Sequence, residues 1–393
     1  MTHAIRLQLN GLRLAKVAAV AMVAVTTLAA SAASAGASPA ASTPGWRITQ
    51  VYSGDYPVSL TAISADSAKD AWAFEWDNPT ALTLEHWGGA KWQPLAAPVA
   101  FSGDDNDTVI SASSASDVWT FPTVSGATSV TQYGLRWNGR SWTTFDFKNE
   151  QIWEAAAFGV DNAWVFGEQP GGNPTPAGYG PGYVEHYNGS SWKQYSFPGA
   201  VIGTANLATN DIWAVSALPK TGSYAALHWN GTKWGAPLAV PVLPAVDKDP
   251  WVVNAFAATD RTDIWVKESL AVNRGSGQGP AGMMLLHWNG EKWSVADNVT
   301  HWYLQGLTPD GHGGFWMVGY KATTVGTPAF DADIAHYSGG KWTFQAPPTE
   351  SGYTDAVGDI TAIPGTGSFW ALGQLSPTSN SGLTSGAILK YGP

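Results

Sequence analysis

Asp211 to Trp234, DIWAVSALPKTGSYAALHWNGTKW, holds the two modules on which the fold turns. The first, Asp211-Ile212-Trp213, opens a short apolar strand after a turn residue. The second, His228-Trp229-Asn230-Gly231-Thr232-Lys233-Trp234, has the chemistry of a hairpin. Asn-Gly supplies the positive φ angles that a tight turn needs, and the last tryptophan begins the return strand.

Working outward, the first module recurs at Asp70-Ala71-Trp72, Asp117-Val118-Trp119, Asn162-Ala163-Trp164, Asp263-Ile264-Trp265, Gly314-Phe315-Trp316 and Ser368-Phe369-Trp370. With Trp213 included, the seven tryptophans are 47, 45, 49, 52, 51 and 54 residues apart. The hairpin module follows the first six, over residues 86–92, 136–142, 186–192, 228–234, 287–293 and 336–342. Ahead of each first module lies a strand of small residues, such as Leu60–Ala65 or Val253–Ala258. Four strands in about fifty residues make one propeller blade. Small residues suit the innermost strand, where blades converge, and aromatics suit the outer strands, where sheets splay apart. The expected fold is therefore all-β: one domain over residues 45–393, a seven-bladed β-propeller of four-stranded blades.

The seventh unit reaches Ile388-Leu389-Lys390-Tyr391-Gly392 without its return strand, and Gly45-Trp46-Arg47-Ile48-Thr49 looks like that strand. The N-terminal strand is expected to close the last blade, which leaves the ring no open edge. Residues 1–35 read as a signal peptide, with Arg6, Arg13 and Lys16 ahead of the apolar run Val17–Ala30 and Ala33-Ser34-Ala35 as the cleavage pattern. That run falls short of the roughly twenty residues of a membrane span. Residues 36–44 read as a flexible lead-in, so the mature chain is expected to be secreted, extracellular and without a membrane anchor.

Without the three signal cations, 17 Lys and Arg face 30 Asp and Glu. Such an acidic balance argues against a nucleic-acid partner, because binding phosphates needs clustered cations. Cysteine is absent, which excludes thiolate metal sites and disulfide stabilisation. No H-E-x-x-H, P-loop or G-x-S-x-G motif occurs.

The paired D-x-W and H-W-N-G-x-x-W motifs resemble the repeat of secreted actinobacterial propeller proteins. More loosely, they are similar to kelch and tectonin repeats, and the resemblance spans residues 45–393. It implies the propeller fold and a wide choice of functions, from lectins and scaffolds to lyases, hydrolases and oxidases. The oxidase branch uses a cysteine cross-linked to a tyrosine at copper, and this chain lacks the cysteine.

Eighteen of the 22 tryptophans sit at repeat positions and are assigned to inter-blade packing. His86, His186, His228, His287 and His336 share one repeat position, cannot converge on a metal, and are expected to bond neighbouring turns. Off the pattern stand Trp153, Trp251 and Trp302, with Tyr56 and Tyr353 in similar places, all near the starts of inner strands. These five, with His301 beside Trp302, are the candidate ligand-binding residues at one mouth of the channel. Aromatic faces stack on the apolar faces of sugar rings. The acidic run Asp104-Asp105-Asn106-Asp107 and the pair Asp331 and Asp333 read as solvated turns. Glu154, Asp355 and Asp359 are carboxylates that a glycosidase would need near the channel.

The expected function is a secreted, monomeric, non-enzymatic module that recognises a glycan, a cell-wall polymer or another cell-surface ligand, with no metal and no cofactor. Two alternatives stand beside it: a carbohydrate-active hydrolase or lyase using those carboxylates, and a protein-binding scaffold.

Overall fold

The computed structural model describes residues 45–392, except 78–80, 97–107, 126–129, 148–149, 170–179, 220, 245–250, 271–281, 301, 322–331 and 380–381. The signal and lead-in expectations, the Asp104–Asp107 run, Asp331 and His301 lie outside the described residues. Every described element is a strand, and none of the described residues forms a helix long and apolar enough to cross a membrane.

The strands form seven antiparallel sheets, six of them in chain order from the inner strand outward and the seventh completed by the N-terminal strand. Their inner strands are Val58–Ser67, Val109–Ser114, Gln151–Ala157, Ala200–Ala208, Trp251–Asp260, Trp302–Pro309 and Tyr353–Ile363, for blades 1 to 7. Each touches the inner strand of the next blade, and that of blade 7 touches that of blade 1, so the ring closes around a central channel. Blade 2 departs slightly from the expected four strands. Its second strand, Asp117–Phe121, breaks at Pro122 and resumes as Thr123–Ser125 on the same partner, because proline has no N–H to give the ladder.

The outer strand of blade 7 is the N-terminal strand Trp46–Tyr52, paired with Ser385–Tyr391 from Trp46↔Tyr391 to Tyr52↔Gly386. The Arg47 guanidinium also donates to the Gly392 carbonyl. The closure expected from the repeat is what the chain forms.

Seven apolar clusters hold the ring, one in each seam between consecutive blades. Each is centred on a D-x-W tryptophan and on the hairpin tryptophan of a neighbouring blade. In the seam between blades 2 and 3, Trp119 meets Trp192 edge to face with centroids 5.3 Å apart. In blades 1, 3, 5 and 6 the repeat histidine stacks on its cross-strand tryptophan, as His86 does on Trp72 at 4.0 Å, and in blade 4 His228 lies tilted against Trp213 at 4.7 Å. The histidine Nε2 bonds the turn residue two positions before that tryptophan: Asp70, Asn162, Asp211 and Asp263 at 2.5–2.8 Å. In blade 6, where the D-x-W position is Gly314, His336 bonds Asp310 at 2.8 Å instead. Blade 2 replaces the histidine with Arg136, which bonds Asp117 at 3.1 Å. The histidines are thus scaffold, bonded to turns. At the outer hairpins Gly139, Gly189, Gly231 and Gly290 adopt φ of 85–91°, the conformation that selects glycine.

Candidate functional site

The inner strands are not regular. Those of blades 1, 3, 4, 5 and 7 each skip a residue in register in their first part, at Thr61, Trp153, Ile202, Asn254 and Gly358. Blades 1, 4 and 5 skip a second near the far end, at Asp66, Leu207 and Thr259. A bulge turns the side chains beside it to new directions. The residue just after the first bulge is small in blades 1, 4 and 5, namely Ala62, Gly203 and Ala255. In blades 3 and 7 it is Glu154 and Asp359. The Thr204 hydroxyl of blade 4 donates to Glu154 at 3.3 Å, while Asp359 accepts its own neighbour's N–H, from Ile360, at 2.8 Å.

Both carboxyls are only partly shielded from water, yet burial within the channel wall pushes each up to about 7. The charge of Asp359 adds to the rise at Glu154, so the two share one electrostatic space. Asp355 is different. It is buried and also raised to about 7 by burial, but strand alternation puts it on the face of Val357, which packs against blade 6.

Beside the Gly358 bulge, between blades 7 and 1, opens a pocket of about 320 Å³. Leu60 and Leu372 form its apolar walls; Ser59, Thr61 and Gln374 supply polar atoms. The Gln374 amide donates to the Ser59 hydroxyl at 3.3 Å across the seam. Thr61 lines the pocket, and its hydroxyl is shielded from solvent with no hydrogen-bond partner in the wall. An apolar cup with a few convergent hydroxyl and amide groups suits a small neutral polyol.

The candidates chosen from sequence are placed variously. Tyr56 is exposed, three residues before pocket-lining Ser59. Tyr353 lies three residues before pocket-lining Ala356 and packs partly into the seam between blades 6 and 7. Trp153 is the bulged residue next to Glu154. Trp251 is buried, its ring 3.6 Å from where a Cβ on Gly282 would stand. Trp302 stacks on Phe344 at 4.1 Å with the Lys321 ammonium 6.0 Å from its ring. The pocket thus draws on the strand that follows Tyr56 and the strand that begins at Tyr353, while Trp251 is buried and Trp302 packs on Phe344 and on the cluster between blades 5 and 6.

Two charged residues escaped the sequence reading. Lys267 stands at a position filled elsewhere by Phe74, Phe121, Phe166, Val215, Val318 and Leu372. It is buried, donates to the Leu304 carbonyl of blade 6, and is lowered to about 8 by burial. Its neighbour Glu268 is fully buried and raised to about 7 for the same reason. Aligning the repeats exposes the first; nothing periodic marks the second. Among the described residues no group of three or more His, Asp or Glu could hold a metal ion.

No family model matches the sequence, and no curated protein matches it. Several solved structures resemble it distantly. YCF48 from Cyanidioschyzon merolae is 15% identical over 88% of this chain and 98% of its own, with a TM-score of 0.48. The SapL1 lectin in complex with alpha methyl fucoside is 12% identical over 75% and 96%, with a TM-score of 0.45. The N-terminal domain of Nup159 is 9% identical over 88% and 96%, with a TM-score of 0.49. The fold and the site rest on this chain's own residues.

Proposed function

We propose that this protein is a secreted, extracellular recognition module that binds a neutral glycan, free or on a cell surface, at the channel mouth where blades 7 and 1 meet. The observation that carries this reading is the pocket of about 320 Å³ in which Ser59, Thr61 and Gln374 join apolar Leu60 and Leu372. Its size is at the low end for small-ligand sites, roughly 300–1,000 Å³. Tyr56, exposed at the approach to blade 1, offers a ring face for stacking.

The hydrolase reading is weaker on electrostatic grounds. A glycosidase separates its two carboxyls into an acid and a base by pushing their pKa values apart. Here Glu154 and Asp359 are both raised to about 7, by the same cause. They suit hydrogen bonding to hydroxyls rather than a division of labour.

A glycan array on the mature chain, followed by titration with the best hit, tests the site. Thr61→Val and Gln374→Ala are each expected to weaken binding at least tenfold with folding intact. Binding unchanged by both would discard the pocket. Polysaccharide turnover that Asp359→Asn abolishes would replace recognition with catalysis.

A further inference from the structure

We propose that the cleft between blades 2 and 3 is a separate site, one that binds an organic ammonium group. The cleft has a volume of about 320 Å³. Phe145, Phe147, Tyr183 and Trp192 form its walls, and Asp146, Glu150 and Glu185 bring carboxylates to it. No lining residue is positively charged. The Tyr183 hydroxyl serves Glu185, but Glu150 Oε2 is shielded from solvent and has no hydrogen-bond partner. Burial holds both glutamates above the usual carboxylate range, and the charge of Glu185 adds to the rise at Glu150.

The molecule carries its own control for this cleft. Glu85, in blade 1, immediately precedes its repeat histidine, as Glu185 does in blade 3. There the previous blade presents Tyr52, whose hydroxyl donates to Glu85 at 3.0 Å and settles the carboxylate. Register makes Phe147 the counterpart of Tyr52. Tyr52 faces Gly386, five residues before the partner of Trp46, and the Phe147 N–H bonds Gln132, five residues before the partner of Trp142. Phe147 has no hydroxyl. The previous blade therefore gives Glu185 no donor, Tyr183 of its own blade serves it instead, and space remains beside the unpartnered Glu150 oxygen.

The class of ligand follows from the lining. A hard divalent cation takes six or more oxygens, and four aromatic walls leave too few. A neutral ligand would leave the mutual repulsion of the carboxylates in place. An ammonium carried on a short carbon chain satisfies both, since cations are drawn to aromatic faces as well as to carboxylates.

n-Butylammonium and n-butanol, which differ in charge and little in shape, are the probes, titrated by calorimetry against the mature chain at pH 7.5. Butylammonium is expected to bind at least tenfold more tightly than butanol. Glu150→Gln and Glu185→Gln are each expected to reduce its affinity at least tenfold. Phe147→Tyr, which supplies the hydroxyl found at the other seam, is expected to do the same with an unchanged melting temperature. Thr61→Val, in the glycan pocket, leaves ammonium binding intact, so the two sites fail separately. Equal binding of butanol, competition by Ca²⁺ at equal concentration, or indifference to all three cleft substitutions would overturn the proposal.

Discussion

Glu154 and Asp359 make the inner wall of the channel a place where stability depends on pH. In the unfolded chain they titrate near 4.5 and 3.8; in the folded protein each is raised to about 7. Between about pH 4 and 7 the folded state therefore binds more protons, so stability falls as pH rises through that window and the penalty is complete above it. Glu154→Gln or Asp359→Asn is expected to raise stability by about 1–3 kcal/mol at pH 8 and by nothing at pH 4, read from urea midpoints. The second substitution adds less than the first, because part of the rise at Glu154 is the field of Asp359. Lys267 carries the opposite sign. Its folded value of about 8 lies below the usual 10.5, so the unfolded chain binds the extra proton between those limits and stability rises with pH across them. Lys267→Met, which returns the site to the apolar type of the other blades, is expected to add about 1–3 kcal/mol at pH 7 and to lose that gain by pH 11. A melting temperature lowered by the methionine would mean that the bond to the Leu304 carbonyl outweighs desolvation.

At the scale of elements, what the sequence disclosed depended on whether the repeat constrained the position. The hairpin turns, the D-x-W strands and the closing strand Trp46–Tyr52 were legible because turn chemistry and aromatic packing recur at fixed offsets. The site was less so. Ser59, Thr61 and Gln374 are small or polar residues on strands full of such residues, and only the bulge at Thr61 and the seam geometry bring them together. Trp251 and Trp302 stood out because they are off the pattern, yet Trp251 is buried and Trp302 packs on Phe344 and on the cluster between blades 5 and 6. The closing strand itself is fastened by more than its ladder. Trp46 packs edge to face on Trp316 of blade 6 at 5.6 Å, and Tyr52 reaches Glu85 of blade 1. Tyr52→Phe removes one of the two hydrogen-bond partners of that buried carboxyl and is expected to cost about 1–2 kcal/mol in chemical denaturation. No change in the midpoint would show that the hydrogen bond with the Glu75 carboxyl suffices alone.

For the whole molecule, seven seams of one kind mean that no seam is privileged by its packing. Each has its own apolar cluster, and the blade that holds both chain ends has an outer hairpin that is not covalently joined. Stability without disulfides therefore resides in closing the ring, not in where the chain is cut. A circular permutant tests this directly. Joining Tyr391 to Trp46 through a four-residue Asn-Gly-Thr-Lys turn copies the Trp229–Trp234 hairpin, and new ends opened between Gly139 and Arg140 make Trp142–Asp146 the closing strand. The permutant is expected to keep the near-ultraviolet signature of its packed tryptophans and to melt within a few degrees of the parent, since loop closure changes by only about 1 kcal/mol. Cuts at such exposed turns are generally tolerated. A permutant that is soluble but melts in two transitions would show instead that the blade 7 seam has a strength the other seams lack.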